Sequence, residues 1–192
     1  APNTTGFTDT HASTTQSGTK AFTGSQTIYT DLSLTGTSMS PTTITFGTPT
    51  VYYVTGNLNM DANSTMKITA SSVTFIVGNN ANLYGTIIVN SGCKLQIYFN
   101  QNVDITGTIG NALRTTDVQF LGSNTAGGVN LHGSGTFNGV IMSPNSSVII
   151  QNTAKYYGSV IAHDLTIRDS SQFHQDAKAQ TVSLHNITGG SY

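Results

Sequence analysis

Phe137-Asn138-Gly139-Val140-Ile141-Met142 is answered 19 residues later by Tyr156-Tyr157-Gly158-Ser159-Val160-Ile161. Each copy sets an aromatic residue two places before a glycine, then runs into a short apolar stretch. Looser copies are Leu83-Tyr84-Gly85-Thr86-Ile87-Ile88, Ile105-Thr106-Gly107-Thr108-Ile109 and Leu131-His132-Gly133. Their spacing, about 20 to 26 residues, suits one turn of a solenoid built from two or three short strands. Such a turn leaves its inner apolar side open, so successive turns must stack to make a core. The glycines fit bends where backbone and core crowd together.

The rhythm extends outward from these copies. Val51-Tyr52-Tyr53-Val54, Val73-Thr74-Phe75-Ile76-Val77, Leu95-Gln96-Ile97-Tyr98 and Val118-Gln119-Phe120-Leu121 are strand-like, and Gly, Asn, Ser or Asp bounds each of them. No stretch carries sustained helical periodicity with caps. The pattern predicts an all-β chain forming one right-handed parallel β-helix with an extended N-terminal arm. A β-sandwich is the alternative, and it calls for longer alternating strands. Residues 1–24 hold only Phe7 and Phe22 as large apolar groups, and read as a flexible or strand-exchanging arm. Residues 25–50 read as irregular first strands or a cap, and 51–192 as the β-helix proper.

Charged residues make up only 8% of the 192, and the net charge is -1. No basic patch is there to grip phosphates, so nucleic acid is not an expected partner. No run of apolar residues is long enough for a membrane span. Thr, Val and Ile, with eight Tyr and eight Phe, argue for a folded β protein over a disordered one. A Thr/Ser/Asn-rich surface points to a secreted or cell-surface location, and Ala1-Pro2 suits a processed N-terminus. The single cysteine, Cys93, permits no intrachain disulfide and reads as a small buried hydrophobe.

Three stretches carry a family likeness. They are Tyr52-Tyr53-Val54-Thr55-Gly56-Asn57-Leu58-Asn59-Met60 with the strands to Asn79, then Phe137-Asn138-Gly139-Val140-Ile141-Met142-Ser143-Pro144-Asn145, then Phe173-His174-Gln175-Asp176. Together they resemble a β-helical domain of bacterial surface and pilus-associated proteins of the PilX-like kind. The second is similar to that family's F-x-G-x-I-x-A-P-x-A segment, and the third to its closing F-H-Y-D, with Gln175 in the aromatic place. The resemblance spans about Val51 to Lys178. It implies a β-helix, a cell-surface location and no catalysis. The apolar N-terminal helix of pilin-like members is not in this sequence, so insertion into a type IV pilus is not expected. The general shape is also similar to that of bactofilins, which polymerise through the ends of a β-helix.

Polysaccharide-cleaving β-helices converge carboxylates from adjacent turns, with Arg or Lys nearby. Asp104, Asp117, Asp164 and Asp169, with Arg114 and Arg168, are the candidates here, yet they do not recur at one position of the turn. Most fall in turns, where Asp is favoured for local hydrogen bonds. No catalytic centre and no cofactor are expected. Of the histidines His11, His132, His163, His174 and His185, only His163 with Asp164 and His174 with Asp176 bring ligand types close in sequence. A metal between those two pairs would need adjacent turns. Sequons stand at Asn3, Asn63, Asn145 and Asn186, a number chance supplies in so Ser/Thr-rich a chain.

Thr-x-Thr pairs such as Thr35-Gly36-Thr37 and Thr106-Gly107-Thr108 are scattered, whereas an ice-binding face needs them in register on every turn. Tyr52, Tyr53, Tyr84, Tyr98, Tyr156 and Tyr157 could stack on sugars or on one another. A solenoid with few charges also has two open ends. The expected function is therefore an extracellular subunit that self-assembles into a surface filament or matrix fibre. Phe7 and Phe22 of the arm and Val182, Leu184 and Ile187 of the alternating tail would make the contacts. The expected partner is the chain itself, with surface glycans second. A monomeric carbohydrate-binding adhesin is the alternative, followed by an ice-binding protein or a polysaccharide-cleaving enzyme.

Overall fold

In the computed structural model, residues 9–11, 13–22, 27–111 and 113–176 are described. They wind into a parallel β-solenoid whose turns each lay one strand segment on three sides. The first turn is β1 (Asp9–His11), β2 (Thr14–Gln16) and β3 (Thr19–Phe22). The second is β4 (Thr27–Tyr29), β5 (Leu32–Leu34) and β6 (Thr42–Phe46). Then come β7 (Thr50–Val54), β8 (Leu58–Met60) and β9 (Ser64–Ile68), followed by β10 (Val73–Val77), β11 (Ala81–Leu83) and β12 (Thr86–Val89). Next are β13 (Leu95–Phe99), β14 (Val103–Ile105) and β15 (Thr108–Ile109), then β16 (Val118–Gly122) and β17 (Val129–Leu131). In the last turns the strand runs through the corners. β18 (Thr136–Ile150) and β19 (Lys155–Ile167) each serve all three sides, and β20 (Gln172–Gln175) ends the described chain. Every described strand pairs in parallel with the strand one turn away, and among the described residues none pairs antiparallel. That arrangement excludes the sandwich.

Alternation decides which residues build the core. On side 1 the inward column is Tyr52, Phe75, Ile97, Phe120 and Ile141. On side 2 it is Leu32, Leu58, Ala81, Val103, Val129 and Val148. On side 3 it is Ile44, Met66, Ile87, Ile109, Phe137 and Tyr156. All are buried. Each such aliphatic or aromatic group contributes about 1.5–3 kcal/mol by leaving water. Aromatic rings also meet inside the core, edge-to-face between sides 1 and 3 and stacked or tilted within one side. Phe46, Tyr52 and Phe75 form one run, with centroids 5.1 and 5.2 Å apart, and Phe120, Phe137 and Tyr156 form another, at 4.9 and 5.2 Å.

Asparagine explains the corner between sides 1 and 2. Asn57 Oδ1 accepts the N–H of Asn80, Asn80 Oδ1 that of Asn102, and Asn102 Oδ1 that of Gly128. Each side chain thus satisfies a corner N–H of the following turn, which strand pairing cannot reach. Asp31 starts the same ladder. Its carboxylate accepts the N–H of Asn57 at 2.7 Å and the Ser13 hydroxyl at 2.8 Å, and these bonds, the backbone one foremost, hold its pKa below the ordinary value.

The N-terminal expectation is corrected. Asp9–Phe22 does not extend as an arm: β1, β2 and β3 pair in register with β4, β5 and β6 of the same chain. Phe22 stacks on Phe46 at 5.0 Å and so belongs to this chain's own core. Within residues 25–50, β5 and β6 keep the inward–outward pattern of the later turns, with Leu32, Leu34, Ile44 and Phe46 fully buried. The apolar side of a solenoid turn needs a neighbour, and a polar segment can provide backbone pairing while burying little itself.

Candidate functional surface

Side 1 presents two outward columns on its middle turns. One runs Val51, Thr74, Gln96 and Gln119; the other runs Tyr53, Ile76, Tyr98 and Leu121. All eight are half-buried. Gln96 Nε2 donates to Gln119 Oε1 at 3.0 Å, and the Thr74 hydroxyl lies 3.5 Å from Gln96 Oε1, so the first column is held as a polar ladder. The second is apolar and aromatic. Tyr53 and Tyr98 are two turns apart, about 9.6 Å at the spacing of paired strands. At its C-terminal end the surface closes. The next outward residues, Val140 and Met142, are buried, and the short 3-10 turn Thr115–Asp117 packs on β18 there. The Thr115 hydroxyl donates to Asp176 at 2.5 Å and fixes that turn to the end of β20.

Side 3 carries a feature the sequence reading did not find. Thr19, Thr43, Thr65, Thr86, Thr108 and Thr136 occupy one outward column on consecutive turns. These threonines are in register, a column that the scattered Thr-x-Thr pairs do not reveal. The Thr-x-Thr pattern is still incomplete, because the neighbouring column reads Ala21, Thr45, Lys67 and Ile88. The sequence signal for the Thr column is a Thr one place before an inward residue, at the first or second position of the strands on side 3.

On side 2 the outward column is Ser33, Asn59, Asn82, Asp104 and Asn130. Asp104 gathers a small cluster: the Tyr84 hydroxyl donates to it at 3.0 Å, Asn130 Nδ2 at 3.2 Å, and His132 Nε2 lies 2.9 Å away. Partial burial, then the bond to Asp104, push the Tyr84 hydroxyl pKa up. The other carboxylates have separate partners. Asp117 pairs with Arg114 at 3.1 Å, Asp164 lies 2.6 Å from His163, and Asp169 accepts the N–H of Asn152 at 3.0 Å. Arg168 donates through Nε to Gln151 at 2.8 Å. The hydrogen bonds and ion pairs of these four aspartates thus run to four separate sets of partners among the described residues.

The weak metal candidates are also kept apart. His163 and Asp164 sit where β19 passes from side 1 to side 2, while His174 is on side 3, its ring stacked 4.7 Å from that of Tyr157. Among the described residues no three His, Cys, Asp or Glu side chains come together. Of the six tyrosines singled out, Tyr52 and Tyr156 are core, Tyr53 and Tyr98 face outward on side 1, and Tyr84 and Tyr157 hold polar or stacking partners elsewhere. Asn63 and Asn145 are exposed. Cys93 is buried at 7% exposure. Phe7, Val182, Leu184, Ile187, Asn3 and Asn186 lie outside the described residues. No helix among the described residues is long and apolar enough to cross a membrane.

Residues 3–182 match the family described as Domain of unknown function (DUF7305). Comparison with curated proteins and with solved structures gave no match.

Proposed function

The chain belongs to the DUF7305 family, a domain of unknown function, and we propose that it is an extracellular, non-catalytic module that binds extended glycans along side 1. The observation that carries this reading is the outward column of Tyr53, Ile76, Tyr98 and Leu121 beside the ladder of Thr74, Gln96 and Gln119. Sugar rings offer apolar C–H faces to aromatic side chains and hydroxyls to amides, and this surface sets both chemistries side by side on a rigid sheet. Two tyrosines on alternate turns suit a polymer whose rings recur along its length. The scarcity of charge favours a neutral glycan over an acidic one.

The test is binding to a panel of neutral and acidic polysaccharides by affinity electrophoresis and calorimetry. Tyr98→Ala should weaken binding about fivefold to tenfold, the worth of one stacked ring. Lys155→Ala, on side 3, should leave it unchanged. Binding to no glycan, or equal loss in both variants, overturns the reading.

A second reading is self-assembly into a surface filament by stacking of turns. What favours it is the C-terminal end, where Leu165 and Ile167 point inward yet are 42% and 46% exposed. What weighs against it is the other end. Beside Phe22, the inward positions of the first turn include Thr14, Gln16 and Lys20, and Lys20 Nζ donates to Gln16 Oε1 at 2.8 Å. Head-to-tail stacking would lay that cation on an apolar layer, a costly burial. Sedimentation of the full-length chain separates the readings: a monomer at high concentration removes the filament.

A further inference from the structure

We propose that side 1 takes a neutral β-1,4-linked glycan in its extended ribbon form, laid along the solenoid axis with one sugar ring to each turn. The proposal rests on the glycan reading of this side and adds the linkage and the direction of the polymer.

The step of the surface matches such a chain. Thr74, Gln96 and Gln119 follow one another on consecutive turns, and so do Tyr53, Ile76, Tyr98 and Leu121. No register shift interrupts the pairing of these strands, so each position repeats at the strand spacing, about 4.8 Å. A β-1,4 linkage joins each pyranose through equatorial bonds at opposite corners. The chain therefore runs straight, and each ring advances it by roughly one strand spacing, about 5 Å. Axial α-1,4 bonds, or β-1,3 bonds between nearer corners, curve the chain into a helix and lose the match.

The placing of the tyrosines fits the same ribbon. Each sugar in it is turned half round from the last, so the same ring face recurs at every second sugar. Tyr53 and Tyr98 stand two turns apart, about 9.6 Å, with Ile76 between them. Two tyrosines at that distance meet like faces of alternate sugars, and the smaller Ile76 serves the sugar between. Over two turns the difference in step stays well within the width of a ring.

The neighbouring column supplies the edge. Outward columns are two residues apart along a strand, about 6.6 Å. A ribbon centred on the tyrosines therefore brings its hydroxyl-bearing edge over Thr74, Gln96 and Gln119. Gln96 Nε2 donates to Gln119 Oε1 at 3.0 Å, which uses one of the two N–H donors an amide carries and orients the other. None of these side chains is charged, and an acidic polymer would be desolvated there without a cation to pair with. A stiff, already extended ribbon also loses little freedom on binding.

The experiment is calorimetry of the full-length chain with four hexasaccharides: β-1,4-linked glucose, β-1,4-linked N-acetylglucosamine, β-1,3-linked glucose and α-1,4-linked glucose. The tighter of the β-1,4 pair should bind about tenfold more strongly than either of the others. Exchanging Ile76→Tyr with Tyr98→Ile keeps both tyrosines but sets them on adjacent turns. Both positions are half-buried and face outward, so the core is untouched. The exchange should weaken binding of that β-1,4 hexamer about fivefold to tenfold. Equal or tighter binding of the β-1,3 or α-1,4 hexamer overturns the linkage and leaves the glycan reading standing, and so does an exchange without effect. Binding of none overturns both. Dimers in sedimentation that Tyr98→Ala dissolves would assign the face to a second copy and overturn the proposal as well.

Discussion

Tyr52 and Tyr156 are both core residues, yet their hydroxyls have opposite standing. Tyr156 lies within hydrogen-bond distance of the carbonyls of Ser159, at 2.7 Å, and Gly139, at 3.1 Å. The Tyr52 hydroxyl finds no partner among the described residues, and burial pushes its pKa up. A buried polar atom left unpaired costs about 1–3 kcal/mol, whereas a made hydrogen bond returns about 1 kcal/mol net. Tyr52→Phe should therefore raise stability by roughly 1 kcal/mol. Tyr156→Phe should lower it by about the same amount, and urea unfolding of the two variants checks both signs. In the sequence both stand alike, as tyrosines that could stack on sugars or on one another. The difference between them was not legible, because it depends on a bend in β19 that brings a carbonyl back over one ring and not the other.

At the scale of the element, the corners do as much as the strands. Gly85 and Gly107 stand at the same corner, between sides 2 and 3, on consecutive turns. A side chain at Gly107 would strike the Gly85 carbonyl, and one at Gly85 the carbonyl of Ser64. Gly158 sits at a different corner, with φ +144°, against the carbonyl of Gly139. The apolar-x-Gly copies in the sequence thus mark two kinds of corner. Gly107→Ala should destabilise by on the order of 3 kcal/mol, since the backbone of the preceding turn at Tyr84 and Gly85 must move, and its thermal midpoint should fall accordingly. Thr106→Ala, one residue away and half-buried, should cost far less. The glycines were visible as punctuation. Their packing partners were not, because each is backbone from another turn.

For the molecule as a whole, stability is a sum of turns and of the contacts between neighbours. The first turn adds little core of its own but covers Leu32, Leu34, Ile44 and Phe46, which are fully buried. Deleting residues 1–22 should accordingly lower the thermal midpoint and raise aggregation, whereas a free arm would be removed without loss. Differential scanning calorimetry with light scattering distinguishes the two.

Short apolar runs bounded by Gly, Asn, Ser or Asp were enough to determine the solenoid and most of its longer strands after residue 50, though not the three-residue strands Leu58–Met60 and Ala81–Leu83. Glycine and asparagine located the corners. Register between turns was decided only by the tertiary structure. The corners differ in length, with extra residues at Thr35–Pro41, in the run after Gly110 and at Ser123–Gly128, so no fixed period carries one column into the next. For that reason the Thr column of side 3 and the paired columns of side 1 emerged only once the turns were stacked. The N-terminal segment followed the same logic: its few apolar residues concealed a turn held mainly by backbone hydrogen bonds to its neighbour, which composition does not record.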